Sequence, residues 1–166
     1  MAASWRPFEL PPRPRGARPT VYLAGAIEHA PDSGAAWRRE LGAWIRENLG
    51  HDVLDPSEHD FQQLTDEERA RFREWKLHDP ARFAPLIHRI IDHDLRLLVE
   101  RTDYVVARWC ADTTRGGGTH GELTVCRLLG VPVYLKLEVP RAQVSSWILG
   151  CADEAFAEWD ALKAFL

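Results

Sequence analysis

A carboxylate, Glu122, closes the run Gly116-Gly117-Gly118-Thr119-His120-Gly121. Glycines let backbone N–H groups come close to a ligand, and an ionised carboxylate beside them can attack an electrophilic carbon. The same residues allow a plainer reading. Thr119-x-x-Glu122 has capping-box spacing, and acid in a first helical turn complements the helix dipole. Gly116-x-Gly118-x-x-Gly121 also matches the dinucleotide fingerprint, with Glu138 further on as a ribose partner, although that fingerprint belongs after the first strand of its unit. A second carboxylate, Asp94, falls inside the apolar arc that Ile87, Ile90, Ile91, Leu95 and Leu98 make on a helical wheel. A charge in such an arc is costly unless satisfied, so Asp94 either caps a buried backbone group or looks into a ligand cavity. Asp92 and His93 point away from the arc as a solvated face. Successive helical residues diverge, so Asp92-His93-Asp94 cannot converge on one metal ion, and no metal site is expected.

The elements that must position these groups follow from periodicity. Thr20-Val21-Tyr22-Leu23-Ala24-Gly25-Ala26 reads as the first, central strand. Asp32 or Ser33 caps a helix whose apolar residues Trp37, Leu41, Trp44 and Ile45 share one face, and Gly50 stops it. Val53-Leu54-Asp55-Pro56 is a short second strand. Thr65-Asp66-Glu67-Glu68 has capping-box spacing and opens a charged helix to about Leu77, solvent-facing apart from Phe72 and Trp75. Asp79-Pro80 reads as a cap with proline at the first helical position, and the next helix runs from about Pro85 to Arg101. Tyr104 to Trp109 is the third strand, Leu123 to Leu129 a helix closed by Gly130, and Val131 to Leu137 the fourth strand. Ser145-Ser146-Trp147-Ile148-Leu149 is a fifth strand or a turn, and from Asp153 an amphipathic helix runs through Phe156, Trp159, Leu162 and Leu166. Alternating strands and helices with short connections make parallel right-handed units. The expected fold class is α/β, a flavodoxin-like (Rossmann-like) three-layer sandwich with a parallel sheet of four or five strands.

At 166 residues the chain can bury about two-thirds of its unfolded surface in one core. We expect an extended Pro/Arg-rich arm over 1–19, with Trp5 and Phe8 available to pack on a neighbour, and one α/β domain over 20–166. The 21 basic residues against 25 acidic ones argue against nucleic acid as a partner. No apolar run suits a membrane span or a signal peptide, and three cysteines without CxxC spacing suit reduced thiols; the expected setting is cytoplasmic.

Between Val21 and Leu137 the chain resembles the nucleoside 2-deoxyribosyltransferase superfamily, which includes nucleoside and nucleotide N-glycoside hydrolases. The resemblance is carried by Val21-Tyr22-Leu23-Ala24-Gly25, by Trp37, by Asp94-Leu95, by Thr102-Asp103-Tyr104-Val105-Val106-Ala107, and by Gly118-Thr119-His120-Gly121-Glu122-Leu123 before Gly130-Val131-Pro132-Val133. It implies cleavage or exchange of an N-glycosidic bond with Glu122 as the nucleophile, forming a covalent glycosyl-enzyme. It also implies Tyr22 orienting Glu122, and Asp94 contacting the substrate and helping to protonate the leaving base. Gly25, Ala26, Gly116, Gly118, Thr119 and His120 would bind a nucleoside or nucleotide. No cofactor is implied, and neighbouring subunits would complete the sites of a homo-oligomer.

The departures bear on substrate. Six residues before the glutamate, the transferases of this family carry Asp and the nucleotide hydrolases carry Ser, which contacts a 5′-phosphate; here stands Gly116. Phosphate-specific members place Ser and Arg after the first-strand glycine, where this chain has Ala26 and Glu28. Glu28 would repel phosphate and Arg115 would compensate, which leans toward an unphosphorylated nucleoside. The insertion from about Glu58 to Pro85 is long enough to form a lid. The alternatives from other classes are a nucleotide sensor without turnover and a nicotinamide or flavin protein.

Overall fold

The computed structural model describes residues 18–58 and 64–166. Five parallel strands form the sheet: β1 (Thr20–Gly25), β2 (Asp52–Leu54), β3 (Tyr104–Trp109), β4 (Val133–Leu137) and β5 (Glu154–Phe156), in the order β2-β1-β3-β4-β5. Val21 pairs with Tyr104 and Gly25 with Arg108, while Val105 pairs with Val133 and Trp109 with Leu137. Asp103 and Asp153 set the register: their carboxylates accept from the N–H groups of Thr20 and Val133, both at 2.8 Å, at the mouths of neighbouring strands.

Helices cover both faces. On one side α1 (Ala35–Asn48) and α6 (Trp159–Phe165) pack Trp37, Leu41, Ile45 and Leu162 against Val21, Leu23 and Val106. On the other, α3 (Pro80–Arg101), α4 (Gly118–Leu129) and α5 (Ser146–Cys151) bring Leu97, Leu98, Leu123, Cys126 and Ile148 onto Tyr22, Val105, Ala107 and Leu135. Neighbours along each strand go to opposite cores, which is the period-two alternation of a sheet buried on both faces. A third small core, Leu64, Trp75 and Leu86, lies between α2 (Asp66–His78) and α3.

Several elements differ from the sequence expectation. Asp79 does cap with Pro80 at the first helical position, its carboxylate accepting from the Arg82 N–H, but that cap opens the whole of α3 and Pro85 lies inside the helix rather than at its start. Within α3, Ile91 is 46% exposed rather than in the core, and Leu86 is buried instead. The segment at 145–149 is not a strand: the Ser145 hydroxyl accepts from the Ile148 N–H and starts α5. The fifth strand is Glu154–Phe156, inside the span expected to be the last helix, because Asp153 ties the start of β4 and leads the chain along that edge. Helix α4 begins at Gly118, five residues before Leu123, so Glu122 occupies its second turn. No side chain caps α4 and the Thr119/Glu122 capping box does not form, whereas the Thr65/Glu68 box forms in both directions. The arm over 1–17, with Trp5 and Phe8, and residues 59–63 of the insertion lie outside the described residues. Among the described residues no helix is long and apolar enough to cross a membrane.

Candidate active site

In a sheet of this order the strand sequence reverses between β1 and β3, and a crevice opens there at the carboxyl ends of the strands. A cavity of about 240 Å³ occupies that place. Its floor is the β1 end, Gly25 to His29, and the β3 end, where a 3-10 turn at Thr113–Arg115 leads into Gly116, Gly117 and Gly118. Glu122 from α4 and Asp94 from α3 both line it. Glu122 takes its position from the strand beneath, for the fully buried Tyr22 donates its hydroxyl to Glu122 Oε1 at 2.6 Å. A bond this short between a phenol and a carboxylate holds the carboxylate rotamer.

The glycines have room above them. A β-carbon on Gly117, Gly118 or Gly121 would meet nothing within 4 Å, and one on Gly116 only the ring of His29 at 4.0 Å. None of the four has positive φ. Neither backbone conformation nor the protein's own packing requires glycine here, so the space they leave is available to a ligand. Gly34 differs: its φ is 71°, and a β-carbon would fall 2.4 Å from the Ala26 carbonyl oxygen. This position is therefore held to glycine by the fold.

Gly34 belongs to the fixture of the β1 loop, whose centre is Arg38. This residue is 1% exposed and donates from Nε to the Leu23 carbonyl at 3.0 Å, from Nη2 to Gly25 at 2.8 Å and from Nη1 to Gly34 at 3.1 Å. Asp55 stands 3.6 Å from Nε. Burial lowers the guanidinium pKa from its ordinary value while the charges of Asp55 and Glu122 oppose that shift, and the group stays cationic at neutral pH. Asp32, expected as the helix cap, accepts from the N–H groups of Gly34 at 2.9 Å and Ala36 at 2.8 Å, although the cap position itself is Gly34.

Elsewhere the lining is mixed in charge. Glu28, Asp94, Asp112 and Glu122 supply carboxylates; Arg73 and His29 are the basic groups. Lys76 hydrogen-bonds Glu28 and holds its carboxyl below the usual range, so the repulsion expected from Glu28 is largely offset. Arg115 is exposed and does not line the cavity. Among the described residues no three His, Cys, Asp or Glu side chains are grouped to share a metal ion. The glycine fingerprint follows β3, and Glu138 is tied to Arg108 at 2.6 Å.

Neither a family model nor a curated protein matches the sequence. Solved structures do match. A 2-deoxyribosyltransferase from the psychrotolerant bacterium Bacillus psychrosaccharolyticus aligns over 87% of this chain and 90% of its own, with a TM-score of 0.57 and 18% identity. The chain shares the fold of a 2-deoxyribosyltransferase. A conserved protein from Enterococcus faecalis V583 aligns over 90% of this chain and all of its own, with a TM-score of 0.58 and 16% identity.

Of the residues that the resemblance to the 2-deoxyribosyltransferases singles out, Gly25, Ala26, Asp94, Gly116, Gly118, Thr119 and Glu122 line the cavity, and Tyr22 reaches it through its bond to Glu122. His120 does not line it; its Nδ1 lies 2.8 Å from the Gly116 carbonyl and its ring meets Trp109 edge-on. It shapes the glycine turn from behind. Sequence reasoning missed Arg38; of the insertion expected to be able to form a lid, Leu64, Phe72, Arg73 and Phe83 line the cavity, next to Ile87 and Ile90 of the arc that holds Asp94. Arg38 carried a signal, since on a wheel it falls about 20° from Ile45, at the edge of the apolar arc.

Proposed function

We propose that the protein cleaves or exchanges the N-glycosidic bond of a (deoxy)nucleoside through a covalent glycosyl-enzyme on Glu122. The observation that carries this reading is the pairing of Glu122 with the buried Tyr22 hydroxyl, inside a cavity at the strand-order reversal of a fold shared with a 2-deoxyribosyltransferase. One Glu122 oxygen accepts from Tyr22, which orients the carboxylate for attack on the anomeric carbon. As the Glu122 oxygen bonds to that carbon, the carbon–nitrogen bond breaks and its electron pair leaves with the base. Asp94 helps to protonate the leaving base. Water or a second base then opens the glycosyl ester and restores the carboxylate. The open space above Gly116, Gly117 and Gly118 receives the sugar, with Gly25, Ala26 and Thr119 around it. Among the described residues Arg73 is the one Lys or Arg in the lining, which favours an uncharged nucleoside over a 5′-monophosphate. Homo-oligomerisation belongs to the same proposal, and the 67% exposed Trp147 is the aromatic surface that suits it.

The test is chromatography for free base after wild type and Glu122→Gln are incubated with ribo- and deoxyribonucleosides and their 5′-monophosphates, with and without an acceptor base. Wild type is expected to release or exchange base and the variant to be inactive. Ligand-dependent stabilisation of both proteins without turnover would make the chain a nucleotide sensor.

A further inference from the structure

We infer that the hairpin of α2 and α3 selects nucleosides whose base carries an apolar exocyclic substituent; the inference rests on the glycosidic reading above. Phe83, Ile87, Ile90 and Asp94 follow one another at spacings of four, three and four residues and all line the cavity, so they form one stripe along a single face of α3. Asp94 ends that stripe in the cavity it shares with Glu122. From there to Phe83 the helix rises about 16 Å, more than twice the length of a purine ring system. A base expelled at Glu122 and protonated by Asp94 covers only the near part of the stripe. The far part remains for whatever the base carries.

That far part is apolar. Phe72 and Leu64 join Phe83 and Ile87 in the lining, and the polar groups that the hairpin adds are Asp94 at the near end and Arg73, whose guanidinium lies 5.5 Å from the Phe72 ring centre. Phe72, Phe83, Ile87 and Ile90 are only partly buried, and they pack on the small core to which Trp75 and Leu86, neither of them lining the cavity, belong. Their open sides therefore face the cavity while their backs are supported. A polar edge set against Phe72, Phe83, Ile87 and Ile90 would lose water without a hydrogen-bond partner from those side chains, whereas an alkyl or aryl group would gain by leaving water.

The experiment compares kcat/KM for adenosine and 2′-deoxyadenosine with that for their N6-pentyl and N6-benzyl derivatives, on wild type, Ile87→Ser and Phe83→Ala, with folding checked by circular dichroism. Wild type is expected to prefer the substituted nucleosides by about tenfold or more, and the ratio to fall toward one in Ile87→Ser. Phe83→Ala gives a second reading of the same ratio, and the wild-type ratio stands on its own should either variant fail to fold. Equal kcat/KM for plain and substituted nucleosides would overturn the inference and leave the glycosidic reading standing. Absence of cleavage for every nucleoside would overturn the glycosidic reading, and the inference with it.

Discussion

Replacing Arg38 by methionine is expected to destabilise the protein by about 3 kcal/mol. Methionine keeps much of the aliphatic volume, so the cost of a cavity is small and what is lost is the charged head. That head donates to the carbonyls of Leu23, Gly25 and Gly34 and faces Asp55 at 3.6 Å, in a residue that is 1% exposed. Removing one partner of a buried pair costs about 3–5 kcal/mol because the other charge stays buried without its counter-charge. Asp55 keeps the Ser57 N–H at 2.9 Å and the Ser57 hydroxyl at 2.6 Å, which places the expected loss at the lower end. For a domain of this size the loss lowers Tm by roughly 6–12 °C. Urea unfolding should show the same loss as a lower midpoint with an unchanged slope. Arg38→Lys is expected to recover only part of the loss, since one ammonium cannot span three carbonyls in a fixed fork. In the double variant Arg38→Met/Asp55→Asn the cost should be smaller than the sum of the two single costs, because no charge is left unpaired. A stability for Arg38→Met within about 0.5 kcal/mol of wild type would refute the assignment of Arg38 as the fixture of the β1 loop.

Other outcomes follow from the same geometry. Tyr22→Phe removes the 2.6 Å bond to Glu122, and steady-state kinetics should show kcat reduced about 10- to 100-fold, the size of a hydrogen bond to a charged group. Gly118→Ala should be stability-neutral or slightly stabilising in a thermal melt, because its β-carbon meets nothing within 4 Å, while KM rises as the methyl enters the cavity. Gly34→Ala should destabilise by more than about 1 kcal/mol in urea unfolding, combining a left-handed backbone with contact against the Ala26 carbonyl. Asp32→Ala should cost about 1 kcal/mol or less near neutral pH, the value of an exposed cap. The backbone N–H of Ala36 lowers the folded pKa of Asp32 below its ordinary 3.8. The wild-type advantage is therefore full above that value and shrinks as pH falls through the folded one, which a pair of melts at pH 7 and pH 3 will read.

Much of this protein was written in local pattern. The strand–helix alternation, the face Trp37-Leu41-Ile45, the Thr65/Glu68 capping box and the Asp79-Pro80 start are decided by residues within a turn or two of one another, and such rules operate before any tertiary contact exists. Asp94 was found the same way, as a carboxylate among isoleucines at helical spacing. The tertiary structure decided what those local rules left degenerate. Thr119 and Glu122 had the spacing of a cap, but a tyrosine a hundred positions away claims the glutamate. Glu154-Ala155-Phe156 lay within the amphipathic pattern of the last helix, but the open edge of β4 drew it into the sheet. Arg38 looked like one more charge on a helix until the carbonyls of β1 surrounded it. The difference has one physical cause: periodicity and capping depend on neighbours along the chain, whereas the partner of a buried polar group is fixed by which distant segment the sheet order brings alongside it.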